Sequence, residues 1–401
     1  MVFATGGSHL LTYIQESTFG TTPTPTAASP MRKFRLTQNS IIAVRDSFTS
    51  EELRGDQQVS DLRLGAKGVA GDLNFEMSYL GFDDFIEAAL GGTWAPTFTD
   101  TDVDWSATAA TNTFTQGAGT DLTTVLSAND YVRVSGFTGD VANNGIFKVA
   151  TVAPNSFTVT PTGTLVDDAA GESVTVEALT GAVLKSGLSQ PSFTFENQYN
   201  DQGFDVNSKY LVYEGMTTNT FNLSLSPNGI VTGSFGLIGE APRASAFSNI
   251  SLGATFEDSV VNPSANFSPM DSFSGQVDEG ATIDIMTITG IELALTRNLN
   301  PEFVIGKDQT VRITPGRNVV TGTVTAFFEN KTLLEKFLNE TSSSLKFTML
   351  DTSSNTVEVF LPNIKYTAGD NSVSGEAAIL VSMPFTALYD ATEATNIRIT
   401  R

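Results

Sequence analysis

The chain states one phrase twice. Val69-Ala70-Gly71-Asp72-Leu73-Asn74-Phe75-Glu76-Met77-Ser78-Tyr79, followed by Phe82-Asp83-Asp84-Phe85-Ile86, is answered by Val320-Thr321-Gly322-Thr323-Val324-Thr325-Ala326-Phe327-Phe328, followed by Leu334-Glu335-Lys336-Phe337-Leu338. Each reads as strand, tight bend, short helix. A matching start precedes each copy, Leu36-Thr37-Gln38-Asn39 and Leu295-Thr296-Arg297-Asn298, and a strand follows each, Ser192-Phe193-Thr194-Phe195 and Lys346-Phe347-Thr348-Met349. One repetition of a fixed element order signals a duplicated domain rather than a solenoid, which needs three or more units. After the second helix the next strand starts at Leu345, whereas after the first about 90 residues intervene before Pro191, which locates an insertion between Thr93 and Lys185.

The boundaries that follow are an N-terminal arm over 1–30, a discontinuous first domain over 31–94 and 183–245, an inserted outer β domain over 95–182, a linker or arm over 246–284, and a second domain over 285–401. The Pro-Thr run Thr21 to Thr26 makes the arm extended rather than helical. Between Asp46 and Asp61 lies a polar loop, longer than its counterpart in the second copy. In the strand after it, Leu73, Phe75, Met77 and Tyr79 alternate with Asp72, Asn74, Glu76 and Ser78, one buried and one wet face. Phe82 to Leu90 then switches to helical spacing, with Asp83 and Asp84 in the first turn and Gly91 as stop. Thr332 and Glu335 open the second helix at capping-box spacing. Inside the insert, short β runs at 113–115, 131–134, 145–149, 156–159 and 173–176 predict a small β barrel or sandwich, entered and left through stems at 93–99 and 181–187.

Charge and composition exclude several functions. Acids number 44 against 22 basic residues, a formal charge of −22, which opposes adhesion to nucleic-acid phosphates. With no cysteine there are no disulfides, thiolate metal sites or thiol nucleophile. The leading residues lack a signal-peptide pattern and no apolar run is long enough for a membrane span, so the chain is expected to be made in a cytosol.

Constellations that carry catalysis fail one by one. His9 is the only histidine. Asp100, Asp102 and Asp104 start like a calcium loop, but the glycine and bidentate glutamate that such a loop needs are missing, and Thr111 stands at the glutamate's place. Asn200, Asp201, Gly203 and Asp205 read first as a turn. The pairs Glu51-Glu52 and Asp83-Asp84 have the residue types of a glycosidase, yet only Trp94 and Trp105 could stack a sugar, and Asp83-Asp84 already serve a helix start. No phosphate-cradling glycine loop is present. The expectation is no catalytic residue, no metal and no cofactor.

The Leu36 start, the strand-to-helix stretch from Val69 to Gly92, its echo from Val320 to Glu340 and a closing strand from Gly375 to Val381 before Met383-Pro384-Phe385 together resemble the major tail tube proteins of siphovirus-type, long-tailed bacteriophages, in the form with two tube domains per polypeptide. The resemblance implies two tail-tube β-sandwich domains, each with a short flanking helix, and an added β-barrel or Ig-like domain on the outside. It implies trimeric, pseudo-hexameric rings that stack into the conduit for genome ejection. Its implied partners are further copies of the chain, a tape measure protein, and tail terminator and distal tail proteins; DNA passes through unbound. The implied location is the virion tail, assembled in the bacterial cytoplasm. By position in the family, the ring-to-ring contact loop would hold Phe48, Glu51, Glu52, Arg54 and Asp56. The polar face Asp72, Asn74, Glu76 and Ser78 is a candidate lining of the lumen, where fixed negative charge repels phosphate over a screening length of about 8–10 Å. The competing class is a secreted or surface β-sandwich adhesin with a glycan-binding insert.

Overall fold

A computed structural model of the protein describes residues 5–26, 31–160, 165–199, 210–242, 256–258, 270–280, 288–329, 331–369 and 378–401. The chain is mainly β. We label the principal strands β1 (His9–Gln15), β2 (Met31–Phe34), β3 (Ile42–Thr49), β4 (Leu62–Glu76), β5 (Phe193–Tyr199), β6 (Tyr210–Leu225), β7 (Thr232–Gly239), β8 (Ile288–Thr296), β9 (Val319–Phe327), β10 (Ser343–Leu350), β11 (Thr356–Tyr366), β12 (Leu380–Ala387) and β13 (Arg398–Thr400), with helices α1 (Asp83–Leu90) and α2 (Thr332–Leu338).

Antiparallel pairing runs in the order β3–β4–β7–β6, then β8–β9–β12–β11, and β6 pairs directly with β8. The result is one wall in which the last strand of the first set abuts the first strand of the second. Behind it, β5 pairs with the amino-terminal half of β6 and β10 with that of β11. The long strands β6 and β11 therefore pass from the wall into a second layer, and β6 turns at Gly215, whose φ of +68° suits glycine.

Period-two alternation turns Leu73, Phe75, Phe221, Phe235, Leu293, Val324 and Phe385 inward, and all are buried in a single apolar cluster that spans both sets. One row across six strands reads Phe75, Gly233, Leu223, Leu293, Gly322, Phe385. Its two ends mirror each other. A Cβ on Gly233 would stand 2.6 Å from the Phe75 ring, and one on Gly322 2.5 Å from the Phe385 ring, so each glycine exists to let an aromatic ring lie across the sheet.

Helix α1 sits in the middle of this core. Phe85 is fully buried among Tyr13, Phe34, Phe193 and Phe235, and Gly91, in the left-handed conformation, ends the helix as its N–H donates to the Glu87 carbonyl at 2.8 Å. The acids of its first turn are engaged: Asp84 accepts from Arg32 at 2.9 Å and from the Tyr13 hydroxyl at 3.0 Å. Helix α2 is less covered, with no residue fully buried and Leu338 68% exposed. Lys336 anchors it, donating to the buried Glu279 carboxylate at 2.6 and 2.8 Å, while Tyr366 donates to the same group at 3.1 Å.

The segment 95–182 forms a separate seven-stranded sheet, in the order Thr99–Asp102, Val174–Ala178, Tyr131–Ser135, Gly145–Ala153, Ser156–Thr160, Thr113–Thr115, Ser106–Thr108. Its first and last strands are consecutive in sequence, so the sheet curls round a core of its own containing Trp105, Phe114, Phe137 and Phe157. At its root Thr180 ties two elements together, its hydroxyl accepting from the Tyr131 N–H at 2.9 Å and bonded to the Tyr79 hydroxyl at 3.3 Å. Strand β13 bridges Val183–Lys185 and β11, and Arg401 lies 4.1 Å over the Trp94 ring while pairing with Asp83.

Several sequence expectations change. The first thirty residues are not an arm throughout: β1 is an inner strand between β5 and β2, because Leu11, Tyr13 and Ile14 are buried. Strand β3 runs into the polar segment 46–61 as far as Thr49, leaving 50–61 as the loop. Within the expected linker 246–284, Asp271–Glu279 is a strand paired with β10. Helix α2 begins at Thr332 with Lys331 as its N-cap, so Thr332 is one place too late to close a capping box, and Glu335 pairs with Lys331 at 2.7 Å instead. The closing strand starts later than expected: β12 is described from Leu380 and continues through Pro384, and residues 370–377 lie outside the described set.

Candidate functional site

The outer face of the wall is polar and concave. Three registered rows cross it: Glu76, Thr232, Ser224, Glu292, Thr323, Pro384; then Asn74, Ser234, Asn222, Ala294, Thr321, Thr386; then Asp72, Gly236, Thr220, Thr296, Val319. These are the alternate positions of strands whose other face is core, so the same periodicity that buries Leu293 exposes Glu292. The curvature encloses a trough of about 840 Å³ lined by both strand sets. Asn222 steadies its middle by donating to Ser234 at 3.0 Å across the β6–β7 ladder, and Asn74 donates to Gln38 at 3.0 Å.

The charges on these rows are all of one sign. Asp72, Glu76 and Glu292 contribute three carboxylates, and the remaining positions are small or neutral. The nearest cation along the rows is Lys365 on β11, opposite Thr386. Such a surface holds water, repels phosphate and offers no cluster that would grip a ligand.

Of the four lumen candidates, three are on this face. Asp72 is exposed and Asn74 and Glu76 are half-buried. Ser78 is not: β4 stops at Glu76, the chain turns toward α1, and Ser78 is 2% exposed. Sequence reasoning missed Glu292, Asn222, Ser224, Ser234, Thr321 and Thr323. Alternation within β6, β7, β8 and β9 carried their signal, but nothing local placed those strands beside β4.

Two hairpins leave the same end of the wall. The long one, β3 and β4 with loop 50–61, is exposed along all of β3, and Phe48 is 61% and Leu53 100% exposed. Phe48 lies on β3, whereas Glu51, Glu52, Arg54 and Asp56 are in the loop, where Arg54 and Asp56 form a bidentate pair at 2.9 and 3.0 Å. That pair holds the Asp56 carboxyl below its usual range. The short hairpin, Asn300–Glu302 against Arg312–Thr314, follows β8 and leans on the base of the long one, with Lys67 bonded to Asp308 through backbone and side chain, each at 2.6 Å.

Asp100, Asp102, Asp104 and His9 each serve a structural contact. Asp100 accepts from the Trp105 indole at 2.7 Å, Asp102 from the Val103 N–H at 2.6 Å and Asp104 from the Ala118 N–H at 2.5 Å, three separate tasks. His9 bonds Asn197 at 2.9 Å. Residues Asn200, Asp201, Gly203 and Asp205 lie outside the described set. Among the described residues no group of three or more His, Cys, Asp or Glu side chains could hold a metal, and no helix is long and apolar enough to cross a membrane.

Burial creates one further electrostatic feature where the arm meets the wall. Glu16, itself buried, accepts from Ser192 at 2.6 Å, Thr194 at 2.7 Å and the N–H groups of Gly20 and Gly215 at 2.9 Å each. Close by, burial and then the neighbouring Glu214 and Glu16 push the Glu240 carboxyl above its ordinary value, partly opposed by a hydrogen bond from Gln309.

A family model described as "Phage tail tube protein" matches residues 6–387. No curated protein matches the chain. Matching solved structures include the cryo-EM structure of the anti-feeding prophage cap (AFP tube terminating cap), at 11% identity and a TM-score of 0.26, covering 35% of this chain and 97% of that one. A likeness of that size carries no argument.

Proposed function

Because the chain belongs to the phage tail tube protein family, we propose that it builds stacked rings of a siphovirus-type tail tube, each ring made of three chains and six wall units, through which the genome is ejected. The observation that carries this reading is the β6–β8 seam. Two four-strand sets of the same order, each with a helix after its second strand, are joined last strand to first, the relation expected of a duplicated tube domain. Outer edges of β3 and the carboxyl-terminal part of β11 remain at the two ends of the wall. Repeating the internal seam between them is a heterologous contact that closes into a ring.

In that ring the concave face lines the lumen. Asp72, Asn74 and Glu76, joined by Glu292, give it a negative, hydrated surface over which DNA slides without sites to hold it. The insert is rooted on the core side, at α1, Trp94 and β13, away from the trough, which supports an outer position for it on the tube. Its tryptophan and phenylalanines are all buried, leaving none of them free to stack on a sugar and disfavouring a glycan-binding adhesin. The long hairpin, with Phe48, Glu51, Glu52, Arg54 and Asp56, reaches the neighbouring ring. Partners are then other copies of the chain, a tape measure protein inside, and tail terminator and distal tail proteins at the ends, assembled in the host cytoplasm into the virion tail.

Sedimentation and negative-stain microscopy of purified protein test the reading. Rings and tubes with threefold mass per ring are expected; a persistent monomer at high concentration in every condition refutes it.

A further inference from the structure

The short hairpin has surface that the ring seam does not use. Phe303, Val304 and Ile305 at its tip are 53%, 49% and 107% exposed, three consecutive apolar side chains in water. The loop that carries them is held firmly. Glu302 pairs with Arg312 at 3.0 Å and accepts from Thr314, Gln190 donates to the Ile313 carbonyl at 3.1 Å, and Lys67 and Glu240 fix Asp308 and Gln309. A rigid apolar tip of this kind marks a contact surface rather than a mobile loop.

The opposite end of the same ladder has its complement. Phe327 and Leu380 are registered partners on β9 and β12, 46% and 43% exposed on the trough side. Beside them the Phe328 N–H donates to the Ile379 carbonyl at 2.9 Å, and both side chains are 37% exposed on the other side. Strand β9 separates knob and patch by about 27 Å at 3.3 Å per residue, so no chain can dock its own tip on its own patch.

We infer that the tip Phe303-Val304-Ile305 docks on the Phe327, Phe328, Ile379 and Leu380 patch of a second copy of this chain, as an axial contact additional to the long hairpin. The inference rests on the stacked-ring reading. Knob and patch sit at opposite ends of one strand direction, so displacing a copy along the strands brings one onto the other, and a heterologous contact of that kind propagates. Charge selects the same surfaces. Copies carrying −22 repel each other, and residues 303–306, 327–328 and 379–382 contain no acid or base.

Cysteine chemistry tests this cleanly because the chain has no cysteine of its own. Ile305→Cys protein is mixed with Leu380→Cys protein under mild oxidation and run on a non-reducing gel. A linked dimer is expected from the mixture, not from either variant alone, and not from Ile305→Cys mixed with Val141→Cys, whose residue is exposed on the insert. Ile305→Asp is expected to form rings but to raise the concentration needed for tube growth by tenfold or more. Wild-type tubes with no 305–380 link above the Val141 control, or unaltered tube growth by Ile305→Asp, overturn the docking alone. Wild-type protein that forms neither rings nor tubes overturns the ring reading beneath it.

Discussion

Replacing Phe85 and Phe337 by alanine, one at a time, separates what the two helices do. They occupy the same place in the repeated phrase, but their surroundings differ. Phe85 has no exposed surface and lies within 4.7–5.7 Å, centroid to centroid, of Tyr13, Phe34, Phe193, Phe195 and Phe235. Truncation removes its transfer free energy and leaves a cavity ringed by aromatics too constrained to collapse, so a loss of about 3–5 kcal/mol is expected. Phe337 is half-buried on a helix with no fully buried residue, and loses only the covered part of its surface, about 1–1.5 kcal/mol. Guanidinium denaturation of dilute, unassembled protein measures both. Trp94 reports on α1, since its indole donates to the Asp83 carbonyl at 3.3 Å. Equal losses, or a Phe85→Ala loss below about 1.5 kcal/mol, refute the reasoning that α1 is a core element and α2 a surface one. In assembled tubes the order narrows if the next chain covers α2, so the Phe337→Ala penalty grows on assembly while that of Phe85→Ala stays fixed.

Three other outcomes follow from named contacts. Gly322→Ala drives a Cβ into the Glu292 backbone carbonyl and to 2.5 Å from the Phe385 ring and is expected to cost about 1–3 kcal/mol by overpacking, read by the same denaturation; a neutral result refutes the close fit of strand and ring at this position. Glu240, whose folded pKa is raised above its ordinary 4.5, binds its proton more tightly in the folded state, so its effect on stability worsens as pH rises through that window. Glu240→Gln should therefore raise the melting temperature at pH 7–8 and lose that advantage below about pH 4, and the opposite pH dependence rejects the assignment. Glu76→Lys should leave tubes intact and slow genome delivery by phage carrying it, because a cation in the lumen attracts phosphate; unchanged delivery kinetics removes Glu76 from the lumen.

What was legible in the sequence was what repeats or alternates within a few residues. The phrase at Val69 and Val320 gave both strand-to-helix units, and Asp83, Asp84 and Gly91 gave the ends of α1 to within a residue. Runs such as Tyr131 to Val134 gave strands of the insert, but Ser106–Thr108 was missed, because Ser and Thr there carry little apolar contrast. Partnership was out of reach. Leu11, Tyr13 and Ile14 are apolar, yet only their pairing with residues 180 or more positions away makes β1 an inner strand. The same limit hid half of the polar face, since Glu292 and Glu76 are brought onto one wall by the β6–β8 seam alone. Ser78 failed for a local reason: period-two counting continued past the point where the chain leaves the sheet.

The way Arg401 closes the insert's root sets a schedule for synthesis. Its guanidinium donates to the Leu179 carbonyl, 222 positions earlier, and β13 must be present before Val183–Lys185 has its partner. A ribosome adding about 5–20 residues per second needs about 10–45 s to cover that separation. Through that interval the first strand set can collapse around α1 and Thr180 can tie the insert's root, but the pairing of Val183–Lys185 with β13 and the Arg401 bond to Leu179 must wait. The insert's root is thus locked last, after every strand of the wall has been synthesised.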